Sequence, residues 1–259
     1  MKAVDVQKIQ QFGAEVDGIL TMSDLRVLFS SVSDAALFKK LEVFVREGQL
    51  VKVKKGFYAL PAASLAAISQ RIEPASYIST GTVLAREAII GSIPARRIQA
   101  VKVGRPRTYR CDLGVVEHLS IKPGLFFGYE VRDGIRYATP EKAFLDVCYF
   151  LFKGRTFSFD PVEDVSMDEL DARLIRDYLA AYDQRFRTFF SSTTLSTATH
   201  SSAIRLEIVG FLNAGSSSMT RSRLLEWTFI LSITFCSAKR APLSKVTIRS
   251  TFFLFQGSP

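Results

Sequence analysis

The chain has 259 residues, 47% hydrophobic and 23% charged, with a formal net charge of +9. That length and mix supply one large or two small domains with real cores, and exclude wholesale disorder. Three cysteines, Cys111, Cys148 and Cys236, stand far apart beside only two histidines, which excludes a disulfide framework and a Cys/His zinc site.

A reducing cytosol is the compartment this implies, with no metal or cofactor. The start, MKAVDVQKIQQF, has no long apolar run and no small-residue cleavage site, so no signal peptide is expected. The longest apolar stretches, 143–152 and 227–236, are about half the roughly 20 residues of a spanning helix, so no membrane association is expected. The basic excess is uneven. Residues 191–259 carry 7 Lys/Arg against 2 Asp/Glu, more than half of the net charge.

The first 60 residues read as one compact unit. Val6, Ile9, Gln10 and Phe12 mark an amphipathic helix that is expected to stop at Gly13. Ile19-Leu20 is a short apolar run. Thr21 and Asp24 then make a helix start, with Thr21 accepting from the Asp24 amide. After "SSVS", Ser33 caps a third helix reaching about Glu47, with Leu37, Leu41, Phe44 and Val45 as its buried stripe. "QLVKVKKGFYAL" alternates as a hairpin, with Val51 and Val53 on one face, Lys52 and Lys54 on the other, and Lys55-Gly56 at the turn.

Helix, short strand, helix, turn, helix and hairpin with a basic tip is the order of a winged helix-turn-helix. A third helix buried along that stripe turns Ala35, Lys39, Glu42 and Arg46 outward toward a major groove, below its cap Ser33. Lys52, Lys54 and Lys55 would meet phosphates. The partner this implies is double-stranded DNA.

From Pro61 to about residue 190 the pattern becomes α+β: helices around an antiparallel sheet. "PAASLAAISQRI" is helical, and another helix starts near Ser79 or Thr80 and ends before Gly91. Strand-like runs follow at 98–103, 108–113, 115–121, 126–131 and 135–138, and Asp133-Gly134 is the strongest hairpin signal. "SMDELDARLIRDYLAAYDQRF" reads as one closing helix, capped by Ser166 with Glu169 completing a capping box. "IPARRIQAVKVGRPRTYR" holds Arg96, Arg97, Lys102, Arg105, Arg107 and Arg110 in eighteen residues without an acid. Strand spacing puts Arg105, Arg107 and Tyr109 on one face, a second candidate surface for nucleic acid or a partner.

"RYATPEKAFLDVCYF" concentrates Glu141, Lys142 and Asp146 beside a proline. Each has a local structural role: Thr139 as N-cap, Pro140 at the first helical position, Glu141 at the positive end of the dipole. Lys142 and Asp146, four apart, make a surface pair, and Ala143, Phe144, Val147, Cys148 and Leu151 form a buried stripe. A metal-dependent nuclease would need Glu141 to converge with acids such as Asp160, Glu163, Asp164, Asp168, Glu169 or Asp171. With no phosphate loop or Ser/His pair nearby, no catalytic activity is expected.

Residues 191–259 differ in kind, with 14 Ser, 9 Thr and only two acids, Glu207 and Glu226. This Ser/Thr-rich tail reads as disordered or as sequence translated out of frame.

"LVKVKKGFYAL", "YISTGTVL" and above all "YATPEKAFLDVCYF" resemble the AbiEi family of antitoxins from bacterial abortive-infection toxin–antitoxin operons. The resemblance spans residue 5 to about 190. It implies a winged-helix repressor of its own operon that counteracts a nucleotidyltransferase toxin, without requiring a stable complex with it. The residues alone also admit a regulator with no toxin partner, an RNA-binding module acting through Arg96 to Arg110, or the nuclease.

Overall fold

The computed structural model describes residues 3–161 and 163–195. Beyond 195, the Ser/Thr-rich tail read from the sequence lies outside the described residues. The fold is α+β, and among the described residues no helix is long and apolar enough to cross a membrane.

The chain opens with α1 (Ala3–Glu15), β1 (Ile19–Thr21), α2 (Met22–Leu28) and α3 (Asp34–Arg46), then β2 (Val51–Lys54) and β3 (Phe57–Ala59). Local chemistry explains each boundary. The Thr21 hydroxyl accepts from the Asp24 amide at 3.2 Å while Asp24 Oδ2 accepts from the Thr21 amide at 2.8 Å, a reciprocal cap for α2. Ser33 caps α3 by accepting from the Ala36 amide at 3.4 Å. α1 does not stop at Gly13 but runs two residues further. Gly13 is there because the helix presses on Leu60, whose Cδ1 would lie 2.6 Å from an added Cβ. The three strands form an antiparallel sheet in the order β1-β3-β2, and Ile9, Leu20, Leu25, Leu37, Leu41 and Phe44 fill the space under the helices.

The rest of the described chain builds a six-stranded sheet. After α4 (Leu65–Ile72) come β4 (Ser76–Ile78), α5 (Gly81–Arg86), β5 (Arg97–Val103), β6 (Arg107–Cys111) and β7 (Gly114–Ile121). Then follow β8 (Tyr129–Arg132), β9 (Ile135–Ala138), α6 (Pro140–Phe152), α7 (Ala172–Leu179) and α8 (Gln184–Leu195). The strand order is β6-β7-β5-β4-β9-β8. β8 and β9 form the expected hairpin, whose Asp133 and Gly134 both take positive φ, 52° and 75°, as a tight primed turn requires.

Two expectations need correction. The sheet is mixed, because β5 pairs parallel with β7 and β4 parallel with β9. Apolar β7 takes the interior position and arginine-bearing β6 takes the edge, so β5 and β6 are not the hairpin that their adjacency suggests. The closing helix is also broken. Residues 167–169 make only a 3₁₀ turn, and the Ser166 side chain caps nothing. Asp171 caps α7 instead, accepting from the Arg173 amide at 2.8 Å, and Asp183 accepts from the Phe186 amide at 3.0 Å as α8 begins. α8 extends past residue 190, with buried Phe190 edge-on to Phe144 at 5.9 Å.

α6 lies at the centre of this second core, and every residue from Glu141 to Phe150 is buried. Thr139 caps it as expected, accepting from the Lys142 amide at 3.3 Å. Lys142 and Asp146 are not a surface pair. Both side chains are 0% exposed and ion-paired to each other. Asp146 Oδ2 also accepts from the Tyr77 hydroxyl at 3.0 Å and from Ser79 Oγ at 2.7 Å. Lys142 Nζ donates to the Tyr182 hydroxyl at 3.2 Å and lies 5.1 Å from the centre of the Phe127 ring. Burial pushes the Lys142 ammonium below its ordinary pKa, against the pull of Asp146, and drives the Tyr77 and Tyr182 hydroxyls well up. Gly128, with φ 70°, lets the backbone cross this side chain, since an added Cβ would fall 3.0 Å from Lys142 Cγ.

Removing one charge of such a pair strands the other in a medium that cannot solvate it. Lys142→Met is expected to cost about 3–5 kcal/mol in urea denaturation at neutral pH. The double variant Lys142→Met/Asp146→Leu is expected to cost clearly less, because no lone charge remains. A double variant as damaged as the single would show that the pair's geometry, not its charge balance, is what matters.

Candidate nucleic-acid interface

Charged contacts tie α3 to α2 and to α1. The Arg26 guanidinium on α2 meets both carboxylate oxygens of Asp34, at 3.1 and 3.0 Å. Lys40 Nζ donates to Asp5 of α1 at 2.8 Å and sits 4.6 Å from the Phe29 ring centre. With the Leu37, Leu41 and Phe44 stripe buried, the remaining face carries Ala35, Lys39, Glu42 and Arg46, all exposed. Arg46 is 70% exposed and has only a 3.4 Å contact to its neighbour Glu47, which restrains it little. Phe38, 47% exposed beside Lys39, was missed; its signal was an aromatic one position outside the buried stripe.

The hairpin brings a second set of cations to that face. Lys52 is exposed, and with Glu42, Arg46, Leu41, Val45 and Tyr58 it lines a groove of about 230 Å³ between α3 and the strands. Lys55 is exposed at the turn. Lys54 behaves differently. The β2–β3 register slips between Lys52 and Lys54, and the irregularity re-aims the side chain. Its Nζ lies 4.2 Å from the Phe57 ring centre and 5.3 Å from that of Tyr109, a residue of β6. Burial lowers its pKa, with the charges of Arg107 and Lys102 adding to the fall and Glu73 opposing it. Lys54 therefore belongs to a seam between β2 and β6 rather than to an exposed tip.

That seam joins the two basic segments that the sequence presents separately. Arg107 lies on the Tyr109 face of β6, and both Arg107 and Arg110 are exposed at the sheet edge; Arg105 is exposed just before the strand. Of the other three cations of the segment, Lys102 and Arg96 are engaged and Arg97 only loosely. Lys102 is buried in an ion pair with Glu73. Arg96 Nε donates to the Leu113 carbonyl at 3.2 Å, and Arg97 points toward Glu117, 3.8 Å away. Among the described residues, no group of three or more His, Cys, Asp or Glu is placed to hold a metal. Glu141 accepts from the Asp171 backbone at 3.1 Å, and the Asp171 carboxylate caps α7, so these two acids serve the helix starts.

Beneath the seam, on β7, lies His118. It is 1% exposed, its Nε2 and the Ser69 hydroxyl share a hydrogen bond of 2.9 Å, and Tyr109 stands edge-on at 5.8 Å. Burial, helped by the charges of Lys102 and Lys54 and opposed by that of Glu73, pushes its pKa down to about 4.

No protein-family model matches the chain, and no curated protein matches it. In fold it is similar to the crystal structure of the RV2827C protein from Mycobacterium tuberculosis. The TM-score is 0.53 at 12% identity, over 78% of this chain and 79% of that one. At such identity the likeness is one of fold.

Acid titration probes the seam. His118 resists protonation when folded and accepts a proton readily when unfolded, so the unfolded chain binds more protons between about pH 6.5 and 4. Stability is therefore lost as pH falls through that window, by roughly 2–3 kcal/mol from this group. His118→Gln is expected to flatten that part of a denaturation-versus-pH profile while lowering stability at pH 7 only modestly. An unchanged slope would assign the acid sensitivity to other groups.

Proposed function

We propose that residues 3–60 act as a winged helix-turn-helix that lays α3 in the major groove of DNA, and that the chain represses transcription of its own operon. The observation that carries this reading is the shared groove in which Glu42 and Arg46 of α3 meet Lys52 of β2. α3 is held by its buried Leu37, Leu41 and Phe44 stripe and by the partly buried Lys40–Asp5 pair, to which the exposed Arg26–Asp34 pair adds little. Lys52 and Lys55 flank it as phosphate contacts, and Arg105, Arg107 and Arg110 extend the positive surface across the β2–β6 seam. Lys54 supports this surface from within the seam.

The antitoxin half of the proposal rests on the resemblance of "YATPEKAFLDVCYF" and its companion segments to AbiEi-type antitoxins. In this reading the part of the chain from Pro61 to about residue 190 counteracts a nucleotidyltransferase toxin encoded beside it. Induction of that neighbouring gene with and without this chain tests the point, because the chain is expected to restore growth. Continued growth arrest would leave a regulator without a toxin partner.

DNA binding is tested by gel shift of the full chain on its own upstream DNA. Lys39→Glu with Arg46→Glu is expected to abolish the specific complex. Lys52→Ala with Lys55→Ala is expected to weaken specific and scrambled DNA alike and to reduce the logarithmic salt slope by about 2. Equal affinity for operator and scrambled DNA would remove the repressor role. Displacement of the DNA by RNA that is sensitive to Arg105, Arg107 and Arg110 but not to Lys39 would favour an RNA-binding module.

A further inference from the structure

Far along the sequence from α3, a cavity of about 400 Å³ opens beside the start of α5. It is a built site rather than a packing defect. Its floor is a fixed polar relay. The Thr80 hydroxyl lies 2.7 Å from Gln99 Oε1 and 2.8 Å from the Ser79 carbonyl, two acceptors for its one proton, and Gln99 Nε2 donates to Glu117 at 3.1 Å. The Gln99 backbone amide donates to the Thr82 hydroxyl at 3.0 Å, which leaves the Thr82 proton to aim elsewhere. Two guanidiniums stand on the wall. Arg155 donates to Glu117 at 2.7 Å, and Arg97 stays 3.8 Å from the same carboxylate. Two cations thus share one anion, leaving an excess positive charge in the cavity. The Arg155 Nε–H is buried without a hydrogen-bond partner, which a finished core seldom leaves. Phe157 and Phe159 line the cavity as well, their ring centres 5.5 Å apart, with the Arg155 guanidinium 5.9 Å from the Phe157 ring centre.

The backbone behind the floor is strained. Thr80 is fully buried with φ 56° and ψ −145°, a conformation that a β-branched residue rarely adopts. Such strain persists only where surrounding structure enforces it, and it clusters at ligand clamps and active sites. Here it sets the Thr80 hydroxyl between Gln99 and the Ser79 carbonyl.

We infer that this cavity binds a small ligand that joins a phosphate-sized anion to a planar ring, the nucleoside monophosphate class. Arg97 and Arg155 would hold the anion by charge-assisted hydrogen bonds, with the Thr82 hydroxyl as a further donor. The planar ring would lie against Phe157 and Phe159. The volume falls within the roughly 300–1,000 Å³ of small-molecule sites. Glu117 remains ionised as the spacer. Burial raises its pKa, but hydrogen bonds from Arg155 and Gln99 and the charges of both arginines hold it below its ordinary value.

Calorimetric titration of the full chain with AMP, GMP, CMP and UMP, and separately with adenosine and inorganic phosphate, tests the inference. At least one nucleotide is expected to bind with a stoichiometry of one. Arg97→Gln, which removes an exposed charge, is expected to weaken it about tenfold. Ser158→Trp, which fills the mouth, is expected to abolish it, with both variants folded by circular dichroism. The inference is overturned if no nucleotide binds at millimolar concentration, or if both variants bind like the wild type. It is equally overturned if phosphate alone or adenosine alone matches the best nucleotide, since one wall of the cavity would then contribute nothing.

Discussion

The buried Lys142–Asp146 pair is the constraint on which the larger core depends. Two opposite charges without water contact are tolerable only if their remaining hydrogen-bonding capacity is met. Tyr77 and Ser79 meet it for the carboxylate, and Tyr182 for the ammonium. Those residues come from β4, from the segment entering α5, and from the α7–α8 connection. One ion pair therefore ties the middle of the sheet, the central helix and the closing helices into a single arrangement. Apolar packing alone would allow α6 to slide or rotate; a misplaced α6 here would expose a charge to hydrocarbon.

That arrangement reaches the first 60 residues as well. Ile19, Val53 and Ala59 belong to the larger core, not to the cluster beneath α1 to α3. β2 is thus anchored on one side in the larger core and turned on the other toward α3. The consequence is mechanical. The hairpin lysines and the β6 arginines form one surface of fixed geometry instead of two basic segments on independent tethers. Rigid presentation lowers the ordering cost of binding a polyanion, which electrostatic attraction must otherwise offset. The same packing also limits the surface, because Lys54 and Lys102 are used as internal supports.

Local chemistry made much of the architecture legible beforehand. Thr21 with Asp24, Ser33, Thr139-Pro140 and Asp133-Gly134 each act through backbone groups within a few residues, so their spacing suffices to place helix starts and turns. The exposed face of α3 followed from the Leu37, Leu41 and Phe44 spacing for the same reason. Where several local signals competed, spacing was not enough. Ser166 and Asp171 are both credible caps, and the choice fell to Asp171 because its own backbone N–H is held by Glu141 from another element.

Spacing along the chain thus places most helix starts, the tight turn of the β8–β9 hairpin and the apolar face of α3, because those signals act within a few residues. Tertiary structure alone decided sidedness and order. Lys142 and Asp146 have the same four-residue spacing on a solvated helix as on a buried one, and only Tyr77, Ser79 and Tyr182, from distant segments, reveal which applies. Strand order likewise turned on which strand could afford an edge, and arginine-bearing β6 took it. The meeting of Lys54 with Tyr109 and Arg107, and of Arg97 with Arg155 around Glu117, depends on segments brought together across the sheet. No spacing rule reaches that far, because those contacts are set by packing rather than by the backbone period.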